Sequence, residues 1–282
     1  MPSAKDLVRK FTDLKTLPHV ALRLTKLVND DMSTMHDFEE VIKLDPVLVT
    51  RLLRLVNSPY FGLINKVEAI SKAVVYVGMK NIRNLIAVEA LRNLFRGEEY
   101  ENGFSRRNLW IHSATVAIVA EMIAKRIFGQ EGEDVFLAGI IHDVGLIVED
   151  QLVGDLLQEA CDKYDPSQNT FTSCEQEKIG TDHCQVGNLL AREWRLPDEI
   201  LKAIRLHHDK DKQYPLGSIP TIILLAEYIA GKLGYSPIVG RFEPLPPYLV
   251  RHVRSSMSNY KVIMRDLPNE MAKAKDLYET TE

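Results

Sequence analysis

The sequence predicts an all-α protein folded as a two-lobed helical bundle. Apolar residues recur three or four positions apart along most of the 282-residue chain, a spacing that places them on one face of a helix. Alternating apolar runs bounded by Asn-Gly or Asp-Gly, which are typical of β-hairpins, are missing. The composition, 45% hydrophobic and 26% charged, is that of a globular protein, and the length allows one large domain or two of ordinary size.

The N-terminal lobe is predicted to span residues 1–100. Its apolar stripes indicate six helices, which begin near Leu7, Val20, Phe38, Val49, Ser71 and Ile82. Pro18 favours the first turn of the second helix, and Asn29-Asp30-Asp31 ends that helix. Asn57-Ser58-Pro59 ends the fourth. Ser71 is expected to cap the fifth, which closes near Gly78, and the polar run at 96–99 marks the end of the lobe.

The second lobe is predicted over residues 101–236. A long apolar helix runs from Val116 to Ile127 and is closed by Gly129, and a shorter one follows from Phe136 to Ile141. Residues 161–174 are polar and contain the Asp165-Pro166 break. Three more helices are expected at Cys184–Trp194, Glu199–Leu206 and Thr221–Leu233. Residues 237–282 are predicted to form a C-terminal helical extension, proline-rich at its start, with a polar helix near Val250–Met264.

Charge and cysteine content exclude several classes of protein. With 39 acidic and 35 basic residues the formal net charge is -4, so nucleic acid is disfavoured as a partner. Cys161, Cys174 and Cys184 show no CxxC spacing, which argues against a disulfide framework or a zinc knuckle and fits a reducing compartment. No apolar run reaches the ~18 residues of a membrane-spanning helix, and no signal peptide is present. We therefore predict a cytoplasmic protein that is neither exported nor bound to membrane.

Histidines recur at the ends of predicted helices in the second lobe. His142 and Asp143 are adjacent, follow the apolar run FLAGII and precede Val144-Gly145, so a helix end could aim both side chains. Imidazole and carboxylate together suit Fe, Mn or Zn, and a carboxylate beside a histidine can bridge two ions. Two ions about 3.5–4 Å apart would polarise a phosphoryl oxygen during hydrolysis. A single histidine at a helix end is usually a packed or solvated residue, so spacing alone leaves both interpretations open.

Short motifs are spread over most of the chain. In the first lobe they are Leu17-Pro18, Asp45-Pro46, the segment LLRLVNSPYFG at 52–62 and Ile70-Ser71-Lys72-Ala73. In the second they are Leu109-Trp110-Ile111-His112-Ser113, His142-Asp143-Val144-Gly145, Asp182-His183, Trp194-Arg195-Leu196-Pro197 and His207-His208. Together these motifs resemble the HDOD family, the HD-related output domain of bacterial signalling, which is a relative of the HD and HD-GYP metal phosphohydrolases.

The resemblance implies a set of metal ligands. Carried over by motif, they are His112, His142, Asp143, His183, His207 and His208, with Glu227 where the last Asp of the wider family would stand. The set implies one or two divalent transition-metal ions, Fe, Mn or Zn. Two departures concern catalysis: Leu146 stands where active HD-GYP enzymes carry Lys, and no Gly-Tyr-Pro motif follows His207-His208.

The functional prediction follows from the same resemblance. It implies a bacterial signal-transduction output module that acts by binding a signalling protein or a ligand, with a phosphorylated or nucleotide ligand as one candidate. The alternative is an active metal-dependent phosphohydrolase acting on a nucleotide or phosphoester. A third hypothesis, DNA binding through the helix, Gly and helix pattern of ISKAVVYVGMKNIRNL, is opposed by acidity and by the need for its apolar residues in the core.

Other polar residues have ordinary structural interpretations. Glu227 lies on an amphipathic helix, where a glutamate is usually solvated, and Cys184 beside His183 is expected to pack as a small hydrophobe. Asn57-Ser58 is expected to act as a helix stop. Four cations, Arg51, Arg54, Lys80 and Arg83, are expected on a solvated face, with an anion or partner surface as the alternative.

Overall fold

The structure is a computed structural model that describes residues 1–14, 19–28, 30, 32–92, 94–95, 104–238 and 240–275. Within these ranges it contains fifteen α-helices, no strand, and one isolated antiparallel bridge between Phe104 and Ile238. The all-α prediction is therefore confirmed. The predicted boundary at Arg96-Gly97-Glu98-Glu99, the Leu17-Pro18 motif and the ends of the Asn29–Asp31 break lie outside the described residues.

The chain divides into two compact units. The larger contains Met1–Lys15 and Leu94–Arg265, and the smaller contains Thr16–Asn93 and Asp266–Glu282. The first six helices are α1 (Ala4–Leu14), α2 (His19–Val28), α3 (Met35–Ile42), α4 (Pro46–Val56), α5 (Ile70–Val77) and α6 (Met79–Arg92). The next nine are α7 (Arg106–Ile127), α8 (Glu133–Ile141), α9 (Val144–Lys163), α10 (Phe171–Lys178), α11 (His183–Glu193), α12 (Asp198–Leu206), α13 (Ile219–Lys232), α14 (Pro247–Ser255) and α15 (Met257–Lys273). None of the described helices is long and apolar enough to cross a bilayer.

The smaller unit packs α2 to α6 around buried Leu24, Phe38, Leu52 and Ile82. Helix α5 begins one residue before Ser71, because the Ala69 carbonyl already accepts the Ala73 N–H, at 3.0 Å. The prediction that Ser71 caps this helix is therefore wrong. Gly78 ends α5 with a φ of 83°, a conformation that suits glycine.

Two of the cations predicted on a solvated face are engaged inside this unit. Arg83 is buried, so that prediction is wrong for it, and its guanidinium donates to Asn84 Oδ1. Arg51 forms an ion pair with the buried carboxylate of Glu89. These two side chains already have partners within the protein, which weakens the alternative interpretation of the four cations as an anion-binding surface.

Asn57 joins the end of α4 to the loop that follows it. Its side-chain amide donates to the carbonyl oxygens of Leu53, at 2.7 Å, and Val67, at 2.8 Å, while its Oδ1 accepts the Val67 N–H at 2.8 Å. The side chain thus supplies a partner to both backbone groups of Val67, while the Leu53 carbonyl oxygen also accepts the Asn57 backbone N–H at 3.1 Å. Asn57 is both the predicted helix stop and the clamp of the 58–67 loop.

The larger unit is built around α7, whose side chains are buried along most of its length. Helices α8 and α13 pack against α7, and α12 contacts both of them. Helix α1 packs on α9 and α11 in this unit. This arrangement brings the ends of α8, α11 and α12 and the middles of α7 and α13 to the same region of the core.

Two helices of the larger unit were not predicted. Helix α9 contains a non-helical residue, Val153, with φ -144° and ψ 38°, which interrupts its apolar periodicity. Helix α10 falls in the region described as polar, and buries only Phe171, Cys174 and Glu175. The predicted last helix near Val250–Met264 is two helices, α14 and α15, because Ser256 leaves the helical conformation.

Candidate metal centre

Helix ends and turns position most of the predicted ligands. His142 is the C-cap of α8 and Asp143 is the N-cap of α9, so both side chains project from the turn between these helices. His183 is the first residue of α11, where the Asp182 carboxylate accepts the Gln185 N–H at 2.8 Å. His207 is the C-cap of α12, and His208 follows it. The local sequence therefore fixes four of these five side chains at helix termini, as predicted.

Two buried groups of ligand-type atoms share one carboxylate. The first ligand group is His112, His142, Asp143 and Glu227, and the second ligand group is Asp143, His183, His207 and His208. Within each group the candidate ligand atoms lie within 4.8 Å of one another. Asp143 belongs to both, which is the arrangement expected of a carboxylate that bridges two metal ions.

In the first ligand group, Glu227 Oε1 lies 3.0 Å from His112 Nε2 and 3.0 Å from His142 Nε2. The two Nε2 atoms are 3.2 Å apart. Asp143 Oδ2 lies 3.3 Å from His142 Nε2 and 3.5 Å from His112 Nε2. Four potential metal-ligating atoms thus point at one small volume. Glu227 does not occupy the solvated position expected of it.

In the second ligand group, Asp143 Oδ1 lies 3.2 Å from His207 Nε2 and 3.4 Å from His183 Nε2. These two nitrogens are 3.3 Å apart. His208 completes the group, and its ring is in contact with the rings of His183 and His207 at centroid distances of 5.0 and 4.3 Å. Each oxygen of Asp143 therefore serves a different group.

Hydrogen bonds on the far side of the rings orient four histidines. Nδ1 of His112 lies 2.7 Å from the Tyr235 carbonyl oxygen, Nδ1 of His142 2.8 Å from that of Gly139, and Nδ1 of His207 2.8 Å from that of Ile204. Nδ1 of His183 lies 2.7 Å from Glu175 Oε2. A carbonyl oxygen only accepts, so Nδ1 of the first three donates, and Nε2 of each neutral ring is the nitrogen that can bind a metal ion.

The same geometry sets the charges of the site. Burial alone would raise the pKa of Asp143 and of Glu227, but neighbouring imidazoles outweigh it and hold both pKa values well below the usual range. Burial alone would lower the pKa of His142, but Asp143 and Glu227 raise it to about 10. At His207 burial and the adjacent His208 lower the pKa to about 4. The carboxylates of Asp143 and Glu227 are therefore ionised, and they favour positive charge on the groups beside them.

Two further acids lie behind His183. Burial raises the pKa of Glu175 to about 8, and burial together with Glu175 raises the pKa of Glu149 well above its usual value. Glu175 is fully buried on α10 and holds the Nδ1 side of the His183 ring. Glu175 thus orients His183 from outside the ligand groups.

An open pocket reaches both ligand groups. It encloses about 660 Å³, including its mouth, and its wall contains Asp143, His112, His183, His208 and Glu227. The rest of the wall is largely apolar, with Leu146 at the position of the lysine that the family resemblance implies. A small molecule could therefore reach the shared carboxylate from solvent.

The structure brings all seven predicted ligands together, and their imidazole and carboxylate groups could hold metal ions. Facing lone pairs of imidazole nitrogen repel each other unless a proton or a metal ion lies between them. Cys184 belongs to neither ligand group, although its buried sulfur lies 3.5 Å from His183 Nε2 and 3.8 Å from His207 Nε2. Trp110 and Trp194 are buried core residues.

Sequence reasoning missed residues that support the ligands from a distance along the chain. Glu175 is eight residues before His183. Tyr235, which supplies a carbonyl oxygen to His112, is 123 residues after His112. Glu243 pairs with Lys210 and lies close to His208. No motif or spacing marks these residues, because their roles depend on how α7, α10 and the 233–246 segment pack.

Comparison with known proteins follows the same lines. A family model of the HDOD domain matches residues 14–210. The crystal structure of an HDOD domain protein with unknown function from Geobacter sulfurreducens is 28% identical, with a TM-score of 0.70 over 96% of this chain and 92% of that chain. A protein from Shewanella amazonensis SB2B, assigned provisionally to the phosphohydrolases, shares the fold at 24% identity, with a TM-score of 0.71 over 96% of this chain and 97% of that chain.

Curated relatives are longer. An uncharacterized protein of Treponema pallidum (strain Nichols) is 26% identical over 209 residues, which are 73% of this chain and 40% of that protein. Ribonuclease Y of Aquifex aeolicus (strain VF5) is 26% identical over 120 residues, which are 42% of this chain and 16% of that protein. The chain thus spans less than half the length of either. Because the HDOD model matches well over half of the chain, the chain belongs to the HDOD family.

Proposed function

We propose that this chain is a signal-transduction output module that holds a pair of divalent transition-metal ions and acts by binding a signalling protein or a ligand. One observation carries the proposal: the Nε2 atoms of four histidines converge on the two oxygens of Asp143. Membership of the HDOD family supports the signalling role.

Different residues of the chain would have different roles at such a metal centre. Carbonyl groups and Glu175 hold the Nδ1 atoms, so the imidazole rings are oriented before a metal ion arrives. Asp143 links the two ligand groups through its two carboxylate oxygens. Bound divalent ions would supply Lewis-acid polarisation of a phosphoryl oxygen.

Metal content tests the proposal. Inductively coupled plasma mass spectrometry on protein purified without chelator or affinity-tag metal is expected to find up to two equivalents of Fe, Mn or Zn. The double variant His142→Ala, Asp143→Ala should lose them. His36→Ala, at an exposed histidine outside both ligand groups, is the matched control and should retain them. Wild-type protein without metal, or metal retained by the double variant, would refute the proposal.

A second candidate is a metal-dependent phosphohydrolase acting on a nucleotide or phosphoester. The open pocket favours it, because residues of both ligand groups stand in its wall. Metal-loaded protein should then cleave bis-p-nitrophenyl phosphate or a cyclic dinucleotide, and Asp143→Ala should abolish the rate while His36→Ala keeps it. Absence of turnover on these substrates by metal-loaded protein would favour the binding module.

A further inference from the structure

One carboxylate, that of Glu243, stands at the pocket beside the second ligand group and gathers cationic and N–H donors. Its Oε2 lies 2.5 Å from Lys210 Nζ and 3.7 Å from His208 Nδ1. Its Oε1 accepts the backbone N–H of Phe171 at 3.2 Å. The Glu243 side chain is 8% exposed. Its carboxylate is therefore held against these groups inside the wall of the pocket.

The donors around Glu243 belong to the pocket that reaches the metal ligands. Lys210, His208, Phe171 and Glu243 all line it, together with Asp143. His208 is also a member of the second ligand group. An anion in place of the Glu243 carboxylate would therefore lie next to the candidate metal centre.

The backbone around Glu243 is held independently of its carboxylate. The Arg241 guanidinium donates to the carbonyl oxygens of Cys161, at 2.5 Å, and Tyr164, at 2.6 Å, at the end of α9. Phe242 packs against Gly231 of α13, where an added Cβ would lie 2.5 Å from Phe242 Cβ. Displacement of the Glu243 side chain would therefore leave these anchors of the 241–242 backbone in place.

A lysine ammonium, an imidazole N–H and a backbone N–H are the donors that proteins present to phosphate oxygens. A carboxylate occupies such donors with one negative charge, whereas a phosphate group brings more charge and three or more acceptor oxygens. A phosphate group could therefore displace Glu243 and reach the second ligand group at the same time.

We propose that Lys210, His208 and the Phe171 N–H form a phosphate-binding subsite of the pocket, and that the Glu243 carboxylate occupies this subsite until a phosphate-bearing ligand displaces it. The inference rests on the proposed function in one respect, that the ligand lies beside the metal centre. It gives the ligand of that site a chemical class, a phosphate or phosphate ester.

Titration calorimetry with inorganic phosphate tests this inference on full-length protein as isolated. Lys210→Met should weaken phosphate binding by about tenfold or more, because a charge-assisted contact is lost. Glu243→Gln should strengthen it by at least about threefold, because the internal competitor loses its charge. Lys212→Met and Glu193→Gln, at exposed positions, make the same changes of charge and should leave the affinity unchanged.

Metal content, measured on every variant, separates the two proposals. Wild-type protein without metal refutes the proposed function, while the opposite effects of Lys210→Met and Glu243→Gln still test the subsite. Equal phosphate affinity in wild type, Lys210→Met and Glu243→Gln overturns the subsite, as does weaker binding in Glu243→Gln, which would make Glu243 a scaffold. If wild type binds no phosphate, binding must appear in Glu243→Gln, and its absence there also overturns the inference.

A parallel titration with phenyl phosphate is expected to give tighter binding, since most of the pocket wall beyond the ligand groups is apolar. Equal affinities would assign the subsite to free phosphate.

Discussion

His112 and His142 face each other through their Nε2 atoms at 3.2 Å, and the Nδ1 atom of each lies against a backbone carbonyl oxygen. Two lone pairs at this distance repel each other unless a proton or a metal ion lies between them. Glu227 Oε1, 3.0 Å from both nitrogens, adds negative charge. The fold therefore keeps a cation-requiring arrangement in its core.

Removal of metal is expected to destabilise the protein. A ligand present at about 100 times its Kd stabilises the folded state by about 2.7 kcal/mol, which in a protein of this size corresponds to a Tm shift of about 5 °C or more. Differential scanning calorimetry with and without a chelator measures the shift. The double variant His142→Ala, Asp143→Ala should show none, and an equal shift in that variant would place the metal elsewhere.

The two ligand groups are expected to lose their metal ions independently of each other. Glu227→Gln removes a ligand of the first group only, and His208→Ala removes a ligand of the second group only. Each variant is expected to retain about one metal equivalent per chain, whereas Asp143→Ala, which affects both groups, should retain none. Metal analysis of the three purified variants gives the answer. Loss of both ions in Glu227→Gln would show that the groups fill cooperatively rather than independently.

Glu175 is expected to control metal affinity without touching the metal. It holds the Nδ1 side of His183, and loss of such a contact typically weakens metal binding 10- to 100-fold. Glu175→Ala should therefore weaken binding at the second ligand group in competition with a fluorescent chelator. Glu175→Gln keeps an acceptor oxygen and should bind more tightly than the alanine variant. Glu177→Ala, an exposed position on the same helix, is the control; affinities equal to wild type in all three would rule out this role.

The fold class could be predicted because it depends on local patterns, whereas the seven ligand candidates were implied by the resemblance to the HDOD family. Apolar periodicity identified most helices, and His142-Asp143 and His207-His208 stood at predicted helix ends, which the structure confirms. Periodicity failed where the local pattern was broken, as at Val153 inside α9. It also failed for α10, which buries few side chains and so lacks a strong apolar stripe.

The supporting residues could not be predicted, because their signals are not local. Glu175 and Glu243 look like solvated glutamates in sequence, yet each is buried against a histidine of the second ligand group. The prediction for Arg83 failed in the same way, since a cation on an amphipathic helix was expected in solvent and is buried. Burial of a charge depends on which helices meet, and one sequence does not encode that as a spacing.

The Asn57 clamp is expected to stabilise the smaller unit. Its side chain makes three hydrogen bonds to backbone groups of Leu53 and Val67. Asn57→Ala removes the side-chain partner of the Val67 N–H and C=O groups, whereas the Leu53 carbonyl oxygen keeps the backbone N–H of residue 57. The free energy of unfolding should fall by about 2–3 kcal/mol. Asn57→Asp loses the donor to both carbonyls and should be nearly as unstable. Urea denaturation measures the change, with exposed Asn65→Ala as the control; a loss equal to that of the control would show that water replaces the clamp.

Gly145 lets the start of α9 touch the start of α11, and this contact places Asp143 beside His183. A Cβ on Gly145 would overlap the His183 carbonyl oxygen and lie 2.7 Å from its carbon, and a Cβ on Gly187 would lie 3.2 Å from the Gly145 nitrogen. Backbone atoms cannot move aside as a side chain can, so Gly145→Ala should destabilise the protein by about 2–3 kcal/mol and lose the metal ion of the second ligand group. Urea denaturation and metal analysis measure both effects. Gly132→Ala is the control, because the three atoms nearest to its added Cβ belong to the side chains of Glu121 and Lys125 and not to the backbone. If Gly145→Ala kept both stability and metal, the contact between these two helix ends would not be what positions His183.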